Sequence, residues 1–164
     1  MIHIDPTLTP KNLEAAARRV FEASAPKIRS LQKRWKASHG TPVFTIAGKY
    51  TSRGWTEWTE GFVYGSAILQ YDATGDREML RIGREGTLRR MASHVTHVGV
   101  HDHGFNNIST YGNLRRLLLE KRLPANEWEA HFYDLAIKAS GAVQASRWTQ
   151  LTPELGYKIG RAHV

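Results

Sequence analysis

The chain has 164 residues, 41% of them hydrophobic and 23% charged, the range of one soluble globular domain with room for a core. It contains no cysteine, which excludes a disulfide framework, thiolate metal ligation and a cysteine nucleophile. The formal charge is +8, yet the basic pairs Arg18-Arg19, Lys33-Arg34, Arg89-Arg90, Arg115-Arg116 and Lys121-Arg122 are scattered at the spacing of wet helix faces and accompany no nucleic-acid recognition motif. They are read as solvated faces, and an acidic saccharide would also suit a basic protein.

The start, Met1-Ile2-His3-Ile4-Asp5-Pro6, lacks the order of a secretory signal, and no apolar run approaches the roughly 20 residues of a membrane span. The expectation is a soluble chain without a membrane partner, cytoplasmic by default, with export left open. Thr9-Pro10 opens a helix to about Ala23, in which Leu13, Ala16, Ala17, Val20 and Phe21 recur at three- and four-residue steps. Pro26 interrupts it, and Ile28, Leu31 and Trp35 mark a continuation or a second short helix. From Ser38 to Arg53 helical period is lost, and the stretch reads as a long loop with Val43-Phe44-Thr45-Ile46 as a short extended piece.

Helical spacing resumes near Glu57, runs through Phe62, Ala67, Ile68 and Tyr71, and stops at Thr74-Gly75. Asp76 is placed to cap the next helix, which carries Met79, Leu80, Ile82, Leu88 and Met91 to about His94. After a histidine-rich loop, Ile108, Tyr111, Leu114, Leu117 and Leu118 mark a further helix ending near Leu123-Pro124. Asn126 can cap the last one, with Trp128, Phe132, Leu135, Ala136, Ala139 and Val143 expected to face inward. Short and long connections alternate, as stacked helical hairpins require, so the fold class is all-α, with bundle, solenoid and barrel open at this point.

Two segments carry chemistry. In Gly54-Trp55-Thr56-Glu57-Trp58-Thr59-Glu60-Gly61-Phe62, two tryptophans stand before a helix, where an indole is either a core plug or a flat face for a sugar ring. In His94-Val95-Thr96-His97-Val98-Gly99-Val100-His101-Asp102-His103-Gly104-Phe105, four histidines and an aspartate fit a metal site, an acid–base site, or imidazoles that cap helix ends and satisfy carbonyls. The metal reading is the weaker in spacing, because adjacent His101, Asp102 and His103 cannot all aim one way from a regular element.

Trp58-Thr59-Glu60-Gly61-Phe62, then Tyr71-Asp72-Ala73-Thr74-Gly75-Asp76, then His101-Asp102-His103-Gly104-Phe105 resemble, in order and spacing, the W-T-D/E-G-F, Y-E-x-T-G-D and H-D-x-G-F motifs of glycoside hydrolase family 88, the unsaturated glucuronyl hydrolases. The helical pattern extends the resemblance from about Leu13 to Tyr157. It implies an (α/α)6 barrel and removal of a 4,5-unsaturated uronic acid from oligosaccharides by hydration of the vinyl ether double bond, rather than the two-carboxylate attack of ordinary glycosidases. It makes Asp102 one of two key aspartates, makes Trp58 and His101 substrate contacts, leaves His103 at a variable position, and implies no cofactor and no metal.

The family's second aspartate, and the later residues that complete its pocket, have no match here. Residues 1–157 are therefore expected to be the N-terminal portion of such a barrel, inactive and marginally folded alone. Residues 158–164 are expected to be a non-native tail, since Ile159-Gly160-Arg161-Ala162-His163-Val164 is what a widely used sequencing-library adapter gives when translated. The related unsaturated rhamnogalacturonyl hydrolases share the barrel and reaction type but not this H-D-x-G-F loop. From another class, a helical-repeat module with a metal-binding histidine loop fits the same elements.

Overall fold

Turn and cap chemistry sets the element boundaries in the computed structural model, which describes residues 5, 7–54 and 57–158. Helix α1 (Pro10–Arg34) starts where the Thr9 hydroxyl accepts from the Asn12 N–H at 3.3 Å, with proline at the first position. The helix continues unbroken through Pro26. Proline lacks the N–H for the usual bond to the carbonyl four residues back, so the expected interruption becomes a weak point within one long helix. None of its residues is buried, and polar ties hold it to the rest. The Ser24 hydroxyl donates to Gln70 Oε1 at 2.8 Å, Gln70 Nε2 donates to Phe21 O at 3.0 Å, and Arg29 pairs with Asp76 and Glu78 at 2.5 and 2.6 Å.

The stretch read as a loop is an antiparallel hairpin, β1 (Thr41–Ile46) with β2 (Lys49–Arg53). Its two-residue turn places Ala47 at φ 49° and Gly48 at φ 73°, the left-handed pair whose twist suits a tight hairpin. Pro42 and a register shift between Pro42 and Phe44 break the alternation by which a strand is recognised in sequence.

Helices α2 (Glu60–Thr74) and α3 (Arg77–Arg90) form the expected hairpin. Gly75, at φ 74°, donates its N–H to Tyr71 O at 2.8 Å, and the Asp76 carboxylate accepts from the Glu78 N–H at 2.9 Å. The Tyr71–Asp76 motif is thus a turn and cap at the far end of α2. The short α4 (Ala92–Val95) leads into the histidine loop. A π-helical stretch, Gly104–Gly112, follows and passes into α5 (Asn113–Leu119), with Asn113 N–H bonded to Ile108 O five residues back.

Asn126 caps α6 (Glu127–Ala145) through the Glu129 N–H at 3.1 Å. A second ribbon pairs β3 (Trp148–Gln150) with β4 (Gly156–Lys158); Lys158, expected to begin the tail, pairs with Trp148, and residues 159–164 lie outside the described ones.

The core gathers Ile68, Met91, Tyr111, Leu114, Leu117 and Tyr133 between α2, α4, the π-helical stretch, α5 and α6. The inward face of α6 differs from expectation. Glu129, Tyr133, Ala136 and Ser140 are buried, while Trp128 and Leu135 are each 65% exposed. The reason is polar pairing: Glu129 bonds Arg84 of α3, and Ser140 bonds His103, so these side chains claim the interior.

The chain is mostly helical, with two small ribbons. Its basic pairs are largely surface ones, with Arg18, Arg89, Arg115, Arg116 and Arg122 in ion pairs. Among the described residues no helix is long and apolar enough to cross a membrane. Thr59 Oγ1 donates to Pro42 O at 3.1 Å, holding the hairpin to the start of α2, and Gln144 Nε2 donates to Val100 O at 3.1 Å, holding the histidine loop to α6.

Candidate functional site

The first turn of α2 and the start of the π-helical stretch touch main chain to main chain. A Cβ on Gly61 would overlap Phe105 O and Asn106 Cα, and one on Gly65, a turn later on the same face, would lie 2.8 Å from Ser109 O. Glycine at these two positions is what allows the approach. Gly61 N–H donates to Asn106 Oδ1 at 2.8 Å, so the two motif segments, 45 residues apart, are joined at one point.

From that joint three rings project together. Trp58 meets Phe62 edge to face at 5.7 Å and Phe105 at 5.6 Å, and Phe62 meets Phe105 at 5.7 Å. Trp58, Phe62 and Phe105 remain 37%, 41% and 49% exposed, an aromatic platform open to solvent rather than a core plug. Trp55 lies outside the described residues.

Asp102 stands one turn before Asn106, whose N–H donates to Asp102 O at 3.1 Å. Its carboxyl is buried, 4% exposed, and His101 Nε2 lies 3.5 Å from Asp102 Oδ1 with its ring on the surface. Asp102 thus stands three residues before Phe105 of the platform, with its carboxyl buried and the neighbouring His101 ring at the surface. The structure brings Trp58 to the histidine loop through Phe105, and His101 to Asp102 directly.

Beneath this lies a buried polar layer that the motifs did not reveal. Because Asn106 Oδ1 accepts from Gly61, its Nδ2 donates to His94 Nδ1 at 3.1 Å. His94 therefore carries its proton on Nε2 and donates it to Glu60 Oε2 at 3.1 Å, which also accepts from the Thr41 hydroxyl at 3.0 Å. Asn107 Nδ2 reaches His94 O at 3.1 Å. Glu60, His94 and Asn106 thereby tie β1, α2, α4 and the π-helical stretch into one frame. Hydrogen bonds over sequence separations of 34 and 12 residues leave no local signal in sequence.

His103 is likewise buried. Its Nε2 donates to His97 O at 2.7 Å, so Nδ1 accepts from the Ser140 hydroxyl at 2.8 Å. Burial holds its pKa below the ordinary imidazole value, with the nearby His97, Arg147 and Lys158 charges acting the same way and the His97 carbonyl opposing them. His94 and His103 are thus buried and hydrogen-bonded while His101 is at the surface, and among the described residues no group of three His, Asp or Glu is disposed to hold a metal ion.

A groove of about 1060 Å³ lies on the other flank of Phe62, between the C-terminal half of α1, the β1–β2 hairpin and α2; Asp102, His101 and Trp58 do not line it. Comparison with protein-family models, with curated proteins and with solved structures gives no match.

Proposed function

We propose that this chain forms part of the saccharide site of an unsaturated uronyl hydrolase, within an (α/α)6 barrel to which the helical hairpins described above belong. The observation that carries the reading is the convergence of two distant motif segments, with Trp58 and Phe62 meeting Phe105 one turn from the buried carboxyl of Asp102.

On this reading the Trp58 indole faces the sugar ring and His101 hydrogen-bonds a hydroxyl or the uronate carboxylate. Asp102 serves the proton transfers of hydration. A proton adds to the alkene carbon C4, the ring oxygen stabilises the positive charge left at C5, and water adds there. The resulting hemiketal opens and the glycosidic bond falls apart. The resemblance supplies no match in this chain for the second aspartate, so the 164 residues alone are expected not to turn over.

The test follows loss of the double-bond ultraviolet absorbance of an unsaturated glucuronyl disaccharide, using the full-length parent and its Asp102→Asn variant. Proton transfer by one positioned group contributes about 10²–10⁴-fold, so a fall in kcat of at least about 100-fold is expected with the fold intact. A folded parent that leaves the substrate untouched, or a variant as active as its parent, would sink the assignment.

A further inference from the structure

We propose that the groove between α1, the β1–β2 hairpin and α2 is a second saccharide-binding site, taking the anionic units of an acidic oligosaccharide that extends from the Trp58 platform. The proposal rests on the uronyl hydrolase reading, and its experiment separates the two.

The groove's charge is one-sided. Lys27 and Arg34 reach it from α1 and Lys49 from β2, and no aspartate or glutamate lines it. All three side chains are exposed, and among the described residues none is in an ion pair, whereas Arg29, Arg84, Arg115, Arg116 and Arg122 all are. Three cations without a protein counter-charge around a concave surface favour an anionic occupant.

Its walls fit sugar rings. The Trp35 indole is held in place by its N–H bond to Gly40 O at 2.9 Å and by edge contacts with His39 at 5.7 Å and Tyr50 at 6.1 Å. Fixed aromatic rings beside cations offer C–H/π contact to a pyranose and charge to its carboxylate. At about 1060 Å³ the groove is at the upper end of the roughly 300–1,000 Å³ of ligand clefts, enough for more than one sugar unit. Phe62 supplies the connection, since it lines the groove and packs on Trp58 and Phe105.

The experiment measures binding to the full-length parent carrying Asp102→Asn, which removes turnover, by titration calorimetry with four probes: an unsaturated glucuronyl disaccharide, a hexasaccharide with the same unsaturated end and further uronates, the saturated hexasaccharide, and a single-stranded oligonucleotide of equal charge. The variants are Trp58→Ala and the combined Lys27→Gln, Arg34→Gln, Lys49→Gln, whose exposed positions leave the core untouched; circular dichroism checks the fold of each.

The hexasaccharide is expected to bind about tenfold more tightly than the disaccharide, the sum of three modest exposed charge contacts, and the triple variant to lose that gain while keeping disaccharide affinity. Saturated hexasaccharide binding is expected to survive Trp58→Ala and to weaken as salt rises. If groove variants weaken both hexasaccharides equally and the unsaturated end adds nothing, the groove stands and the hydrolase reading falls. If Trp58→Ala abolishes disaccharide binding but the triple variant binds the hexasaccharide as wild type does, the hydrolase reading stands and the groove proposal is overturned. Tighter binding of the oligonucleotide than of either hexasaccharide, or a self-associated chain that the triple variant disperses with no saccharide bound, would overturn it as well.

Discussion

At the scale of single residues, the joint between the two motif segments depends on the absence of a side chain. Gly61→Ala puts a methyl group into the Phe105–Asn106 main chain, which cannot yield as a flexible side chain would. A loss of about 1–3 kcal/mol in stability is expected in urea unfolding, with altered fluorescence from the displaced Trp58. A variant as stable as wild type would show that the two segments do not meet this closely. His103 gives a pH prediction. Its pKa is lowered in the folded protein, so between that value and about 6.5 the unfolded chain binds more protons than the folded one. The stability it contributes is complete above about pH 6.5 and is lost as pH falls toward the folded value. His103→Gln is expected to unfold at urea midpoints that fall less than those of wild type between pH 7.5 and 5.5. Equal falls would remove His103 from the account. The motifs point to Asp102, His101 and Trp58 because their spacing is local. Glu60, His94 and Asn106 were not legible as a frame, because their partners arrive from other elements and an isolated histidine in sequence fits ligand, catalyst and strut equally.

At the scale of elements, caps and turns were the most legible feature. Thr74-Gly75-Asp76 and Asn126 act where their chemistry says they should, since a cap needs only its own neighbours. Long-range pairing is less legible. Val43–Ile46 reads as extended, but Pro42 and the irregular register hide its pairing with β2, and apolarity alone points Trp128 and Leu135 to the inward face of α6. Glu129 and Ser140 hold that face through partners on α3 and in the histidine loop. The hairpin turn offers a direct check. Ala47 sits at φ 49°, a region that costs alanine energy and that asparagine tolerates. Ala47→Asn is expected to stabilise the hairpin by about 0.5–1 kcal/mol, read as slower amide exchange in β1 and β2. Faster exchange would mean that the turn has another geometry.

At the scale of the whole molecule, α6 presents an apolar stripe over which none of the described residues closes. Trp128 stacks on Phe132 at 5.2 Å with the rings nearly parallel, and Leu135 continues the line one turn on. Exposed apolar surface of this kind drives association. Trp128→Gln with Leu135→Gln is expected to lower dye binding and light scattering while shifting stability by less than about 1 kcal/mol, because both positions are already largely wet. Unchanged scattering would place the sticky surface elsewhere. The glycine joint between α2 and the π-helical stretch bears on how such a molecule can change over generations. Because backbone rests on backbone there, the span from Trp58 to Phe105 is measured by the chain itself and not by the size of any residue wedged between. Replacements among Ile68, Met91 and Leu117 are therefore expected to raise or lower the melting point without resetting that span, so stability and the spacing of the exposed rings can drift on separate schedules.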